Sequence, residues 1–139
     1  MQNGQLKQLI DTSNRIILKV GSSLLINEKN IDINYNWLKN FSKEIQSLTD
    51  KKKQIMIVSS GSVALGRKQL NLNKNLSLDE KQAAAAVGQI HLSHAWKENL
   101  KSFSLESAQI LLAPDDTETR RKHLNARATL LKLLQLNVI

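Results

Sequence analysis

Two short apolar runs, each broken off by a turn of glycine and serine, constrain this chain more than any other feature. Residues 15–20 (RIILKV) and 54–58 (QIMIV) are rich in β-branched side chains and nearly continuous in their apolar character. Runs of this kind predict strands covered on both faces, as in a parallel sheet; a half-wetted antiparallel strand would alternate. Gly21-Ser22-Ser23 follows the first run directly, and Ser59-Ser60-Gly61-Ser62 closes the second. Residues 107–113 (SAQILLA) predict a third strand, stopped by Pro114, the only proline. Residues 137–139 (NVI) begin a fourth, so the chain is expected to end within an element.

Helical patterns fill the intervals. Trp37, Leu38, Phe41, Ile45 and Leu48 form one apolar stripe between residues 34 and 50. Lys51, Lys52 and Lys53 come next, where cations suit the negative end of the helix macrodipole. Residues 63–70 read as a short helix. Ser77 and Glu80 have the spacing of a capping box, starting a helix that runs through four alanines to about residue 101. Gly88 inside that helix costs about 1 kcal/mol relative to alanine, which predicts tight packing or a close backbone approach there. Asp115, Asp116 and Thr117 are expected to turn into a last helix over residues 118–136, with Leu124, Ala128, Leu131 and Leu134 as its stripe. Residues 24–26 and 31–33 predict a short ribbon, and residues 1–14 a polar arm or frayed turn. Strands alternating with helices predict an α/β fold with a mainly parallel sheet, in one domain over residues 15–139 behind the arm.

Composition then narrows the function classes. The absence of cysteine excludes disulfides, thiolate metal sites and cysteine nucleophiles. No apolar run approaches the roughly 18 residues of a membrane span, and residues 1–14 carry no apolar signal core. A cytoplasmic location is the expectation. The net charge of +8 raises the alternative of a small nucleic-acid-binding module. Aromatic residues make up only 4%, too few for a base-stacking platform. The surplus is read as solvated surface that helps attract phosphorylated ligands, and no nucleic-acid or membrane partner is expected.

In an open parallel sheet, ligands gather where strands hand over to helices at their carboxyl ends. The two small-residue turns fall there. Glycine lets another group approach the backbone, and successive N–H donors make a concavity for anions. Lys19 stands beside the first turn, near the end of an apolar strand, where burying an unpartnered ammonium is costly. A phosphate at the turn would partner it; so would a structural carboxylate, or the side chain can reach solvent. Neither turn matches the Walker or dinucleotide patterns. Lesser candidates are His91, His94 and Glu98 as a zinc face, or simply a wet helix edge. Asp115 and Asp116 suit a hard cation, or a turn and cap. Arg120, Arg121 and Lys122 suit an anion or subunit contact, or a solvated face. No sequence cue supplies Ser22 or Ser60 with a His–Asp relay.

In order and spacing, ILKVGSSLL, IVSSGSVALG, KQAAAAVGQ, QILLAPDD and LNARATLLKLL resemble the N-terminal half of the bacterial glutamate 5-kinases, within the amino-acid kinase family. The resemblance spans residues 14–139, and KQAAAAVGQ and LNARATL are its most specific parts. It implies an αβα sandwich around a mainly parallel sheet, incomplete at the C-terminus. It implies transfer of the ATP γ-phosphoryl group, with Mg2+ carried on the nucleotide phosphates, to the side-chain carboxylate of L-glutamate. The product is glutamyl 5-phosphate, the first step of proline synthesis. By the same resemblance Lys19 is the ATP-binding lysine that stabilises the transferring group, Gly21 and Ser22 the phosphate-contacting turn, Ser60 the glutamate-binding serine and Gly61 its loop partner. The family's homo-oligomers imply self-association. Its further glutamate-binding Asp and Asn, its second phosphate-binding lysine and its base pocket belong to a later segment. The 139 residues are therefore expected to have little kinase activity alone. A related kinase or an inactive remnant are the other readings.

Overall fold

The computed structural model describes residues 3–27 and 29–139. β1 (Arg15–Val20) and β4 (Gln54–Ser59) pair in parallel, in register from Arg15 opposite Gln54 to Val20 opposite Ser59. Strand alternation then sorts their side chains onto two faces. Ile16, Leu18, Val20, Ile55 and Ile57 join the hydrophobic core. Ile17 and Val58 on the opposite face are 61% and 54% exposed, and Lys19 is exposed with them. The two runs form the expected parallel pair, with helices packed on the core side, but the cover expected on both faces is incomplete: Ile17 and Val58 leave the second face open.

α3 (Tyr35–Asp50) and α5 (Leu78–Lys101) supply that packing, with Leu38 and Ile45 from the first and Leu92, Ala95, Trp96 and Leu100 from the second. Asn34 caps α3 by accepting from the Trp37 N–H at 3.2 Å. Ser77 and Glu80 form the expected capping box on α5, with the Ser77 N–H donating to Glu80 at 2.9 Å. The predicted ribbon is present but shorter. α2 (Ser22–Leu25), a single turn, takes up Leu24 and Leu25, leaving β2 (Ile26–Asn27) antiparallel to β3 (Asp32–Ile33).

α4 (Ser62–Gln69) crosses α5 at two glycines. A Cβ on Gly88 would lie 1.8 Å from the Ser62 carbonyl oxygen, and one on Gly66 would lie 1.8 Å from that of Ala84. The two helix backbones are in direct contact. The glycine in α5 therefore has the packing reason its sequence position predicts, and it sets where α4 begins.

Three expectations are corrected. Residues 3–12, expected as a polar arm or frayed turn, form a helix, α1 (Asn3–Thr12). Leu6 and Leu9 are exposed on it, so it carries no buried stripe, and its last carbonyls are held from elsewhere. The Lys53 ammonium donates to the Asp11 and Ser13 oxygens at 2.7 and 2.6 Å. Residues 105–113 form no strand. The Ile139 N–H donates to the Glu106 oxygen at 3.0 Å, and the Ala108 N–H to the Ile139 oxygen at 2.8 Å. Those two bonds bracket Ser107 in the parallel pattern, but one bracket is not a ladder, and Leu111 stays 71% exposed. The last helix is divided: α6 (Pro114–Glu118) and α7 (Arg120–Gln135) meet at Thr119, whose φ of −82° and ψ of 118° are extended. Asp116 accepts from the Ala113 N–H at 2.7 Å, starting a helical turn four residues earlier than the sequence suggests. Of the expected stripe only Leu134 is buried, and Leu124 is 48% exposed.

The ends of α3, α4, α5 and α7 fall within one residue of those expected, although no glycine marks them. α3 closes with Lys53 N–H on the Leu48 oxygen, α4 with Leu72 N–H on Arg67, and α7 with Val138 N–H on Leu133. Lys52, Asn71 and Asn137 take the left-handed position in these closures, at φ of 62°, 54° and 57°.

Gly88→Ala is expected to lower stability by about 2–3 kcal/mol, the range of a forced overpacking against backbone that cannot give way. Urea unfolding of the two chains measures it, and an unchanged midpoint would contradict the helix contact.

Candidate functional site

Because β1 and β4 are in register, their terminal turns emerge side by side. The Ser60 N–H and the Ser60 Oγ both donate to the Val20 oxygen, at 3.2 and 3.3 Å. The second turn is thus tied to the end of the first strand. Gly61 continues at φ of 129°, a conformation that favours glycine. A Cβ there would meet Ile26 Cδ1 at 2.8 Å and Ser22 Cβ at 3.7 Å. Gly61 therefore packs directly onto the residues that follow the first turn, and the two turns form one surface.

Each turn feeds a helix. The Gly21 oxygen accepts from the Leu24 and Leu25 N–H groups at 3.2 and 3.4 Å, closing the single turn of α2. The Gly61 oxygen accepts from the Leu65 N–H at 3.2 Å, opening α4. Among the described residues no side chain caps either helix start. The first N–H groups of α4 thus keep their donor capacity at the turn, together with the positive end of its dipole. Gly21 differs from Gly61. Its φ is −73°, open to any residue, and a Cβ on it would meet nothing nearer than Ser23 Oγ at 3.8 Å.

Lys19 lies one residue before Val20, opposite Val58, on the exposed face. Its ammonium reaches solvent, so burial places no demand on it, and among the described residues it forms no ion pair. Of the sequence-stated choices, an internal carboxylate partner is not what the structure contains. The five residues Lys19, Gly21, Ser22, Ser60 and Gly61 share one end of the sheet. They present an ammonium, the Ser22 hydroxyl and backbone donors, a donor set that suits oxyanions, while Ser60 Oγ, its proton on Val20, offers lone pairs.

Several of the lesser candidates have other partners. His91 Nε2 lies 3.9 Å from Asp32 Oδ1, and Lys68 Nζ lies 3.6 Å from Asp32 Oδ2, so this cluster links β3 to α4 and α5. Among the described residues no group of three His, Asp or Glu gathers as a metal site. Asp115 pairs with Lys122 and accepts from Thr119 Oγ1 at 3.0 Å. The Lys122 ammonium, and after it the Thr119 hydroxyl, hold the Asp115 carboxyl below its ordinary range. With Lys53 on α1 and Lys122 on Asp115, each basic cluster spends one of its cations inside the chain.

Two features escaped the sequence reading. Trp96 donates its indole N–H to Ser59 Oγ at 3.0 Å, directly behind the second turn. Its spacing from Leu92 and Leu100 announces a buried helix face but not that bond. Beside it lies a cavity of about 560 Å³, bounded by β4, α5, residues 107–111 and Ile139, which reaches the turn only through Ser59.

Comparison with known proteins adds to this geometry. A sequence model described as the amino acid kinase family matches residues 14–139. A glutamate 5-kinase of Paramagnetospirillum magneticum is 45% identical over 125 residues, covering 90% of this chain and 34% of that protein. One from Rhodopseudomonas palustris (strain BisB5) is 48% identical over 122 residues, 87% of this chain and 32% of its own length. One from Ruegeria sp. (strain TM1040) is 40% identical over 131 residues, 94% and 36% respectively. The chain spans about a third of the length of these curated relatives.

Alanine separates the two glycines. Gly61→Ala, strained at positive φ and pressed on Ile26, is expected to cost about 1–3 kcal/mol. Gly21→Ala should stay within about 0.5 kcal/mol of wild type, the range of a substitution that meets nothing. Thermal or urea unfolding reads both; equal losses would contradict the contact between the turns.

Proposed function

The chain belongs to the amino acid kinase family, and on that premise we propose that its two turns are the phosphate and acceptor halves of a glutamate 5-kinase site. The observation that carries the reading is the joining of the turns by Ser60 on Val20, with Gly61 close against Ile26 and the Lys19 ammonium open beside them. Gly21 supports it further. Nothing in the fold requires glycine there, so its small size makes sense as room for a ligand oxygen against the backbone.

The reaction is attack by a side-chain carboxylate oxygen of L-glutamate on the γ-phosphorus of ATP, with the β–γ bridging oxygen leaving as ADP. Such a transfer needs alignment and charge neutralisation more than covalent help. Lys19 counters charge on the transferring group, while backbone donors at Gly21 and Ser22 hold the phosphate oxygens. Ser60 Oγ, its proton on the Val20 oxygen, accepts from the ammonium of the amino acid, and the donors from Gly61 into α4 hold a carboxylate, so that the side-chain carboxylate faces the phosphorus. Mg2+ travels on the nucleotide phosphates, where it lowers their charge. The groups this chain offers at the turns are cations, hydroxyls and N–H donors, which fit phosphate oxygens and not the ion itself.

Glutamate is preferred to other carboxylates because the relatives are named for it and because KQAAAAVGQ and LNARATL accompany the shared turns. The product would be glutamyl 5-phosphate, at the first step of proline synthesis; a cytoplasmic homo-oligomer belongs to the same proposal and rests on the resemblance alone. No described helix is long and apolar enough to cross a membrane. The domain reading follows: residues 15–139 are the N-terminal part of an amino-acid kinase domain, with α1 in front.

Calorimetric titration of the chain tests the assignment. Lys19→Met is expected to weaken Mg-ATP binding about 10- to 100-fold, the loss of a charge-assisted contact, and to leave L-glutamate unaffected. Ser60→Ala should do the reverse, weakening L-glutamate about 2- to 10-fold. If neither variant changes either affinity, the assignment fails.

A further inference from the structure

Ser59 is the joint between the core and the second turn. It ends β4 on the same face as Ile55 and Ile57, and the residue after it makes both bonds to the Val20 oxygen. A hydroxyl facing apolar neighbours needs a partner, and so does a buried indole N–H. Here each answers the other: Trp96 Nε1 donates to Ser59 Oγ at 3.0 Å. The donor is rigidly held. Trp96 is buried on α5, its ring meets Phe41 edge-on at 5.9 Å, and Phe41 stacks on Trp37 at 4.7 Å. A chain of aromatic contacts thus runs from α3 through α5 to the last side chain of the strand.

We propose that Trp96 is a positioning residue for the Ser60–Gly61 turn. Through its bond to Ser59 it fixes the end of β4, and so the direction in which Ser60 Oγ and the Gly61 backbone face the bound amino acid. The functional meaning rests on the reading of that turn as the acceptor half of the site. The bond itself does not.

Amide exchange on the 15N-labelled 139-residue chain tests this. Trp96→Phe keeps a ring against Phe41 and removes the N–H; Ser59→Ala removes the acceptor and leaves the ring. Each is expected to speed exchange of the Ser60 amide about 2- to 10-fold relative to the Ile45 amide in α3, as for loss of one net hydrogen bond. The double variant should do no more than either single one, since both remove the same interaction. In wild type, the Trp96 indole proton should exchange more slowly than that of an exposed indole. In a titration with L-glutamate, both variants should raise the dissociation constant read at Ser60 by the same factor. The response of Gly21–Ser23 to Mg-ATP should stay unchanged. A merely structural tryptophan would shift Ser60 and Ile45 together. Unchanged relative exchange at Ser60, including through a cavity water replacing the indole, overturns the proposal, as do additive effects in the double variant. If L-glutamate moves no amide in wild type, the acceptor assignment fails instead, and the exchange ratios still decide whether Trp96 positions the turn.

Discussion

The in-register parallel pairing of β1 with β4 is the constraint on which the other features depend. Both strands end at one level, so the turns after Val20 and Ser59 leave the sheet together. Because side chains alternate, a slip of one residue would exchange the faces of β1. Lys19 would then enter the core and Val20 would leave it, and the Val20 oxygen would no longer meet Ser60. The hydrophobic pattern that buries Val20 and Ile55 therefore also aims the ammonium outward. Packing and site geometry here are one specification.

The second layer carries that specification into the turns. Gly66 and Gly88 let α4 lie against α5 with backbones touching, so the first residue of α4 sits at a height set by the long helix. Trp96 on the same helix engages the last residue of β4. α5 thus holds the second turn at both ends, once by backbone contact after it and once by an indole before it. The alanine-rich KQAAAAVGQ segment acquires a physical meaning: Ala84 and Gly88 are small because another helix occupies the space a side chain would take. LNARATL has no such account. It lies on the exposed part of α7, so its weight is in the resemblance alone.

Much of this was legible in the sequence because burial and turn chemistry are local signals. RIILKV and QIMIV contain their own strand assignment, and Ser77 and Glu80 their own cap. Residues 107–113 misled because a strand exists only in a ladder, and composition does not report whether a partner is present. Asn3–Thr12 was missed for the converse reason: with Leu6 and Leu9 exposed there is no stripe to detect, and the helix is held at its end by a lysine 40 residues on from Ser13. The break at Thr119 followed from a cap, Asp116 on Ala113, that competes with the one expected. At the site, the five residues were identifiable by type, but the close approach of Gly61 to Ile26, the free exposure of Lys19 and the bond from Trp96 arise only when distant segments meet.

The claim that the two turns form a single anion cradle is tested most directly by locating Mg-ATP on the chain through backbone amide shifts. The account predicts that Gly21–Ser23 shift as the half that holds the phosphates and that Ser60–Ser62, packed beside them, shift by contact with the same dissociation constant, although about 40 residues separate them. A response confined to Lys51–Lys53 or to Arg120–Lys122, with the turns silent, would show that the nucleotide follows bulk charge and would contradict the cradle.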